Sequence, residues 1–123
     1  MFEAYFDESG CDDGSKLLVV GGYLVDSGKV RRLDRKWRAA LRPLGLSYFH
    51  MVDCAHGNGP YKKLTIDQRI ALVTRLIYLI KQHAAMGFMA VVNPKRFQDI
   101  PRMPDAYTFA LEMVLFAIGA WVL

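Results

Sequence analysis

The sequence predicts an α/β fold in which helices cover the faces of a sheet, and three observations carry that reading. Two runs of strand character, Phe2 to Phe6 and Lys16 to Val25, stand close together at the start of the chain. Two longer segments, from Lys29 and from Thr65, place apolar residues at helical spacing. A further strand run, Met86 to Val92, sits between the second of these helices and an apolar helix at the end. With Leu46 to Phe49 as a short strand candidate, the predicted order is strand, strand, helix, strand, helix, strand, helix.

Phe2 to Phe6 alternates enough for a strand, and Lys16 to Val25 is rich in Leu and Val. A connection of about ten residues carrying Gly10 and Gly14 makes them antiparallel neighbours in the simplest arrangement. Gly21-Gly22 inside the second run marks a bulge or a close approach of backbone. The first helix, Lys29 to Arg42, has Val30, Leu33, Trp37 and Leu41 on one stripe and ends at Pro43 and Gly45. "DCAHGNGP", Asp53 to Pro60, has the composition of a surface loop. Thr65 and Gln68 form a capping box ahead of Ile66, Ile70, Val73, Ile77 and Ile80, while Leu72, Leu76 and Leu79 widen the apolar face. Asn93-Pro94 ends the last strand, and Asp105 to Trp121 forms the last helix. No internal repeat or low-complexity tract is visible.

At 123 residues the chain has room for a single domain, and 53% hydrophobic residues with both signs of charge indicate a globular protein. The formal charge of +4 permits a polyanionic partner. Cys11 and Cys54, in a chain without a charged-then-apolar leader, read as reduced thiols in a cytoplasmic protein. From Met113 to Leu123 there is no charge. That run is shorter than the roughly 20 apolar residues that span a bilayer, so it reads as a core helix that is cut short, with a missing C-terminal segment or a second copy covering its exposed faces. No membrane partner is expected.

Four features could carry chemistry. Asp7 and Glu8 stand where the first strand ends and Ser9-Gly10 begins a turn; a carboxylate held there suits a hard cation such as Mg2+ or Mn2+, and the alternative is a turn-starting Asp beside a solvated Glu. His50 and Asp53, three apart in "YFHMVDCAHG", can face one site if that segment is helical or turns tightly; the alternative is a polar strand end. Cys54, His56 and Cys11 match no regular zinc spacing. Arg31, Arg35, Arg38 and Arg42 repeat at four, three and four along one helix stripe, which suits a phosphate backbone or a solvated face equally. Glu112 is alone among apolar residues of the last helix, so it reaches the surface, finds a partner or ligates a cation. A small-molecule hydrolase built on His50 and Ser9 lacks a recognisable nucleophile setting.

Taken together, "YFDESG" at the end of the first strand, "LLVVGGYLV" as the second and "YFHMVD" after the first helix resemble the bacterial and phage family known as domain of unknown function 3800. The resemblance implies a ribonuclease H-like mixed sheet flanked by helices, and a metal-dependent nuclease acting on DNA or RNA. It matches Asp7 and Glu8 to the family's opening acids and His50 to its strand-end histidine, with Asp53 at the usual acidic position. Asp7, Glu8, Asp53 and Glu112 are then the expected metal ligands. Family members continue through a further strand with an acid and a Gln-x-x-Asp-like segment that this sequence lacks. Residues 1–123 are therefore expected to be the N-terminal portion of a larger domain, a nuclease that is inactive alone if this is its natural length, and the alternative is a catalytically dead module that binds nucleic acid or protein.

Overall fold

The computed structural model describes residues 1–10, 17–97 and 105–123. Cys11, Gly14 and Lys16 lie outside the described residues. The chain runs β1 (Phe2–Ser9), β2 (Leu18–Asp26), α1 (Ser27–Leu41), a 3-10 turn (Arg42–Leu44), α2 (Met51–His56), a second 3-10 turn (Gly59–Lys63), α3 (Ile66–His83), β3 (Ala84–Val92), α4 (Pro94–Phe97) and α5 (Ala106–Val122). These elements fall into two compact units. One comprises Met1 and Asp26–Ala84; the other comprises Phe2–Val25 and Ala85–Leu123.

The first unit is helical. Asp26 caps α1 by accepting a hydrogen bond from Gly28 N (2.8 Å), and Gly45, in the left-handed region at φ 68°, closes the turn after it. The capping box at the head of α3 is present in full: Gln68 N donates to Thr65 Oγ1 (3.1 Å) and Thr65 N to Gln68 Oε1 (2.9 Å). Leu41, Leu46, Cys54, Tyr61, Leu72, Leu76 and Leu79 form the buried core, with Leu33, Trp37 and Phe49 packed against it. Each fully buried apolar side chain contributes about 1.5–3 kcal/mol.

Three expectations need correction here. Leu46 to Phe49 is irregular rather than a strand, because Leu46 and Phe49 are drawn into this core and no described strand pairs with them. Asp53 does not begin a loop; Met51–His56 forms α2, and the turn comes only at Gly57, in the left-handed region at φ 66°. On α3 the leucine stripe is buried, whereas Ile66 and Ile70 are 65% and 59% exposed.

The second unit holds an antiparallel sheet ordered β1-β2-β3. The α/β class is therefore as expected, while the described strands contain no parallel pair of the kind a mixed sheet requires. Leu18 and Val20 of β2, with Phe88, Ala90 and Val92 of β3, cover one sheet face and pack on Ala110 and Val114 of α5. Phe6 joins that face through its ring contact with Phe88 (6.5 Å), and Phe2 through Trp121 (5.5 Å). Asp105 caps α5: its Oδ1 accepts from Thr108 N (3.0 Å) and its Oδ2 from Thr108 Oγ1 (2.7 Å), which holds the carboxyl below its ordinary range. Gly22 is required by close approach, since a Cβ there would overlap the Tyr5 carbonyl oxygen and lie 2.7 Å from Phe6 Cα. No described helix is long and apolar enough to cross a membrane.

Candidate functional site

The built feature of the helical unit is the pair His50–Asp53. His50 is the residue that starts α2 and Asp53 lies in its first turn, so one helical turn brings the side chains together: His50 Nδ1 and Asp53 Oδ2 are 2.9 Å apart. The imidazole is 58% exposed and the carboxylate 31%. Nε2 makes no hydrogen bond among the described residues and remains available for a proton or a ligand.

Tyr61 fixes the backbone beneath this pair. Its ring is fully buried, edge-on to Phe49 at 6.3 Å, and Phe49 in turn meets Trp37 at 6.3 Å. The Tyr61 hydroxyl accepts from His50 N (3.0 Å) and donates to Tyr48 O (3.1 Å). Burial pushes its pKa up, partly offset by the His50 N–H bond. Arg69 of α3 holds the other end of α2: its Nη1 donates to Cys54 O (2.7 Å) and Ala55 O (3.0 Å). The buried Cys54 thiol is pushed up by desolvation, opposed by the Arg69 charge. Sequence reasoning missed Tyr61 and Arg69, because neither shows a motif; only their long-range bonds reveal them. It also missed a groove of about 360 Å³ between α2 and α3, over Met51, Cys54, Ile66, Ile70 and Val73.

All four arginines of the α1 stripe are exposed and lie within one arc of the helix, as their spacing requires. Arg38 Nε reaches both oxygens of Asp34 (3.1 and 3.0 Å), a surface pair worth about 0–1 kcal/mol. Arg31, Arg35 and Arg42 form no ion pair among the described residues.

Asp7, Glu8 and Glu112 belong to the sheet unit and are exposed. Because β1 continues to Ser9, Asp7 and Glu8 are both strand residues and leave opposite faces, Glu8 sharing the face of Phe2 and Phe6. Asp7 Oδ1 accepts from Glu8 N (2.9 Å). Glu112 has taken the surface outcome. Among the described residues no three His, Cys, Asp or Glu side chains gather closely enough to hold a metal ion.

The His50–Asp53 pair can move a proton. The carboxylate orients the ring, which leaves Nε2 as the atom through which a proton would pass. The same pair could present Nε2 to a cation with Asp53 as its support. No family model, curated protein or solved structure matches the chain.

Proposed function

We propose that the chain acts on nucleic acid as a metal-dependent phosphodiester hydrolase, the activity its resemblance implies. The observation that carries this reading is the His50–Asp53 pair at 2.9 Å, its imidazole exposed, in the unit that presents Arg31, Arg35 and Arg38 on α1 and Arg42 at the start of the turn after it, all exposed. In this reading the arginines hold backbone phosphates. Asp53 keeps the His50 ring oriented, and His50 passes a proton to or from the attacking water or the leaving oxygen. Of the Mg2+ or Mn2+ ligands that the resemblance implies, Asp53 is the one that stands beside His50, and a cation held there would supply charge neutralisation at the phosphate. The described residues do not by themselves assemble a metal cage, so the steps assigned to this chain are those of His50, Asp53 and the arginines.

A second reading, a module that binds nucleic acid without cutting it, is favoured by the same lack of three gathered ligands together with the open arginine stripe. One experiment separates the two. The 123-residue chain is incubated with labelled single- and double-stranded DNA and RNA in Mg2+, in Mn2+ and in chelator, and binding is measured alongside cleavage. Hydrolase action predicts cleavage only with the metal, reduced about 10²–10⁴-fold in His50→Gln and lost in Asp53→Asn. Binding that survives chelator without any cleavage, and falls in Arg35→Glu/Arg42→Glu, selects the second reading. Equal cleavage in chelator and in Mg2+ refutes the metal-dependent mechanism.

A further inference from the structure

We propose that β3 is a self-pairing edge, through which two copies of this chain join their three-stranded sheets into one continuous six-stranded antiparallel sheet across a twofold axis. The sheet order places β1 and β3 at its two edges, and β3 has β2 as its one bonded neighbour among the described residues. An edge strand presents a row of backbone N–H and C=O groups that another strand can meet.

The charges distinguish the two edges. β1, FEAYFDES, carries Glu3, Asp7 and Glu8. If it paired antiparallel with itself about Tyr5, Glu3 of one copy would stand opposite Asp7 of the other, and directly opposed like charges are unfavourable. β3, AAMGFMAVV, has nine residues with no charge and no proline, so no antiparallel register of two copies opposes like charges or lacks an N–H donor. Nine residues is long for a strand whose usual length is about five or six, and none of the common devices that blunt an edge, a lysine or a proline, occurs in it.

Side chains agree with the backbone. One side of β3 is used inside the unit, where Phe88, Ala90 and Val92 pack toward α5. The other side carries Ala85, Gly87, Met89 and Val91, all exposed, with Met89 at 70% and Val91 at 49%. Pairing of two copies about the centre of β3 would set Met89 near its own equivalent, or against Gly87, and extend an apolar strip across the axis. The interface is isologous and closes at two copies, because each sheet has one such edge.

Sedimentation equilibrium of the 123-residue chain over a concentration series tests this, with far-UV circular dichroism confirming that each variant is folded. The chain is expected to dimerise. Met89→Lys, which brings two lysines close together across the axis, is expected to weaken the dimer about tenfold or more, and an equimolar mixture of Met89→Lys and Met89→Glu chains is expected to recover it as a heterodimer. Phe116→Lys, on the exposed part of α5, is expected to leave the dimer within about twofold of the parent. A monomer at every concentration up to hundreds of micromolar overturns the proposal, as does a dimer that ignores charge at Met89 but dissociates in Phe116→Lys. Failure of the charge-mixing rescue while both single variants remain folded monomers also overturns it.

Discussion

Replacing Tyr61 by Phe removes one oxygen atom and keeps the ring that packs edge-on to Phe49. What is lost is the hydroxyl that accepts from His50 N at 3.0 Å and donates to Tyr48 O at 3.1 Å. Each such bond has a net worth of about 0.5–1.5 kcal/mol, and a buried group left without its partner costs about 1–3 kcal/mol. Both bonds are only part-buried, so water can reach the freed groups, and the loss should lie near 2 kcal/mol. Urea unfolding should show a lower midpoint with an unchanged slope, and the thermal midpoint should fall by roughly 5–10 °C. The consequence for the site is separate from the stability loss. With the His50 backbone unpinned, the His50 Nδ1–Asp53 distance is no longer fixed, and the imidazole resonances of His50 should shift and broaden although neither residue has been altered. A Tyr61→Phe variant within 0.5 kcal/mol of the parent, with His50 resonances unmoved, would refute the claim that this hydroxyl organises the pair.

Two further outcomes follow from the same geometry. Gly22→Ala should destabilise the sheet unit by about 2–4 kcal/mol, because the new Cβ meets the Tyr5–Phe6 backbone, which cannot rotate aside; Gly59→Ala, with nothing within 4 Å of the new atom, should cost only the left-handed backbone penalty of about 1–2 kcal/mol, and denaturation of the two variants gives the comparison. Stability should also fall on the alkaline side: the folded pKa values of Cys54 and Tyr61 lie above their ordinary 9.0 and 10.0, so the unfolded chain releases these protons first. The stabilisation is complete below pH 9 and is lost as pH rises above it, by up to about 1 kcal/mol per pH unit for each group, with urea midpoints from pH 7 to 10.5 as the measure and Cys54→Ala removing the portion that begins near 9.

The local features legible in the sequence were those whose cause is local. The capping box of Thr65 and Gln68 and the arginine arc that begins on α1 depend on residues three or four apart, and each is present as read. Half of the His50–Asp53 pairing belongs here too, since a separation of three brings two side chains together once the backbone is helical. The condition itself was not legible: "DCAHGNGP" has loop composition, and α2 exists because Cys54 is drawn into the core while Arg69, fifteen residues on, binds the Cys54 and Ala55 carbonyls.

The sequence by itself determined the alternation of β1, the helical stripes and the capping box at the head of α3, because periodicity and capping are properties of a single segment. Only the tertiary structure decided which apolar stripe of α3 is inside, since isoleucines and leucines are equally apolar and the core selects the face that fits α1. It also decided that Asp7 and Glu8 leave opposite faces of β1, because the strand persists to Ser9 once its backbone pairs with β2. The tyrosine beneath His50 and the place of β3 at the end of the described strand order likewise arise from contacts between segments far apart in the chain, where no spacing rule reaches.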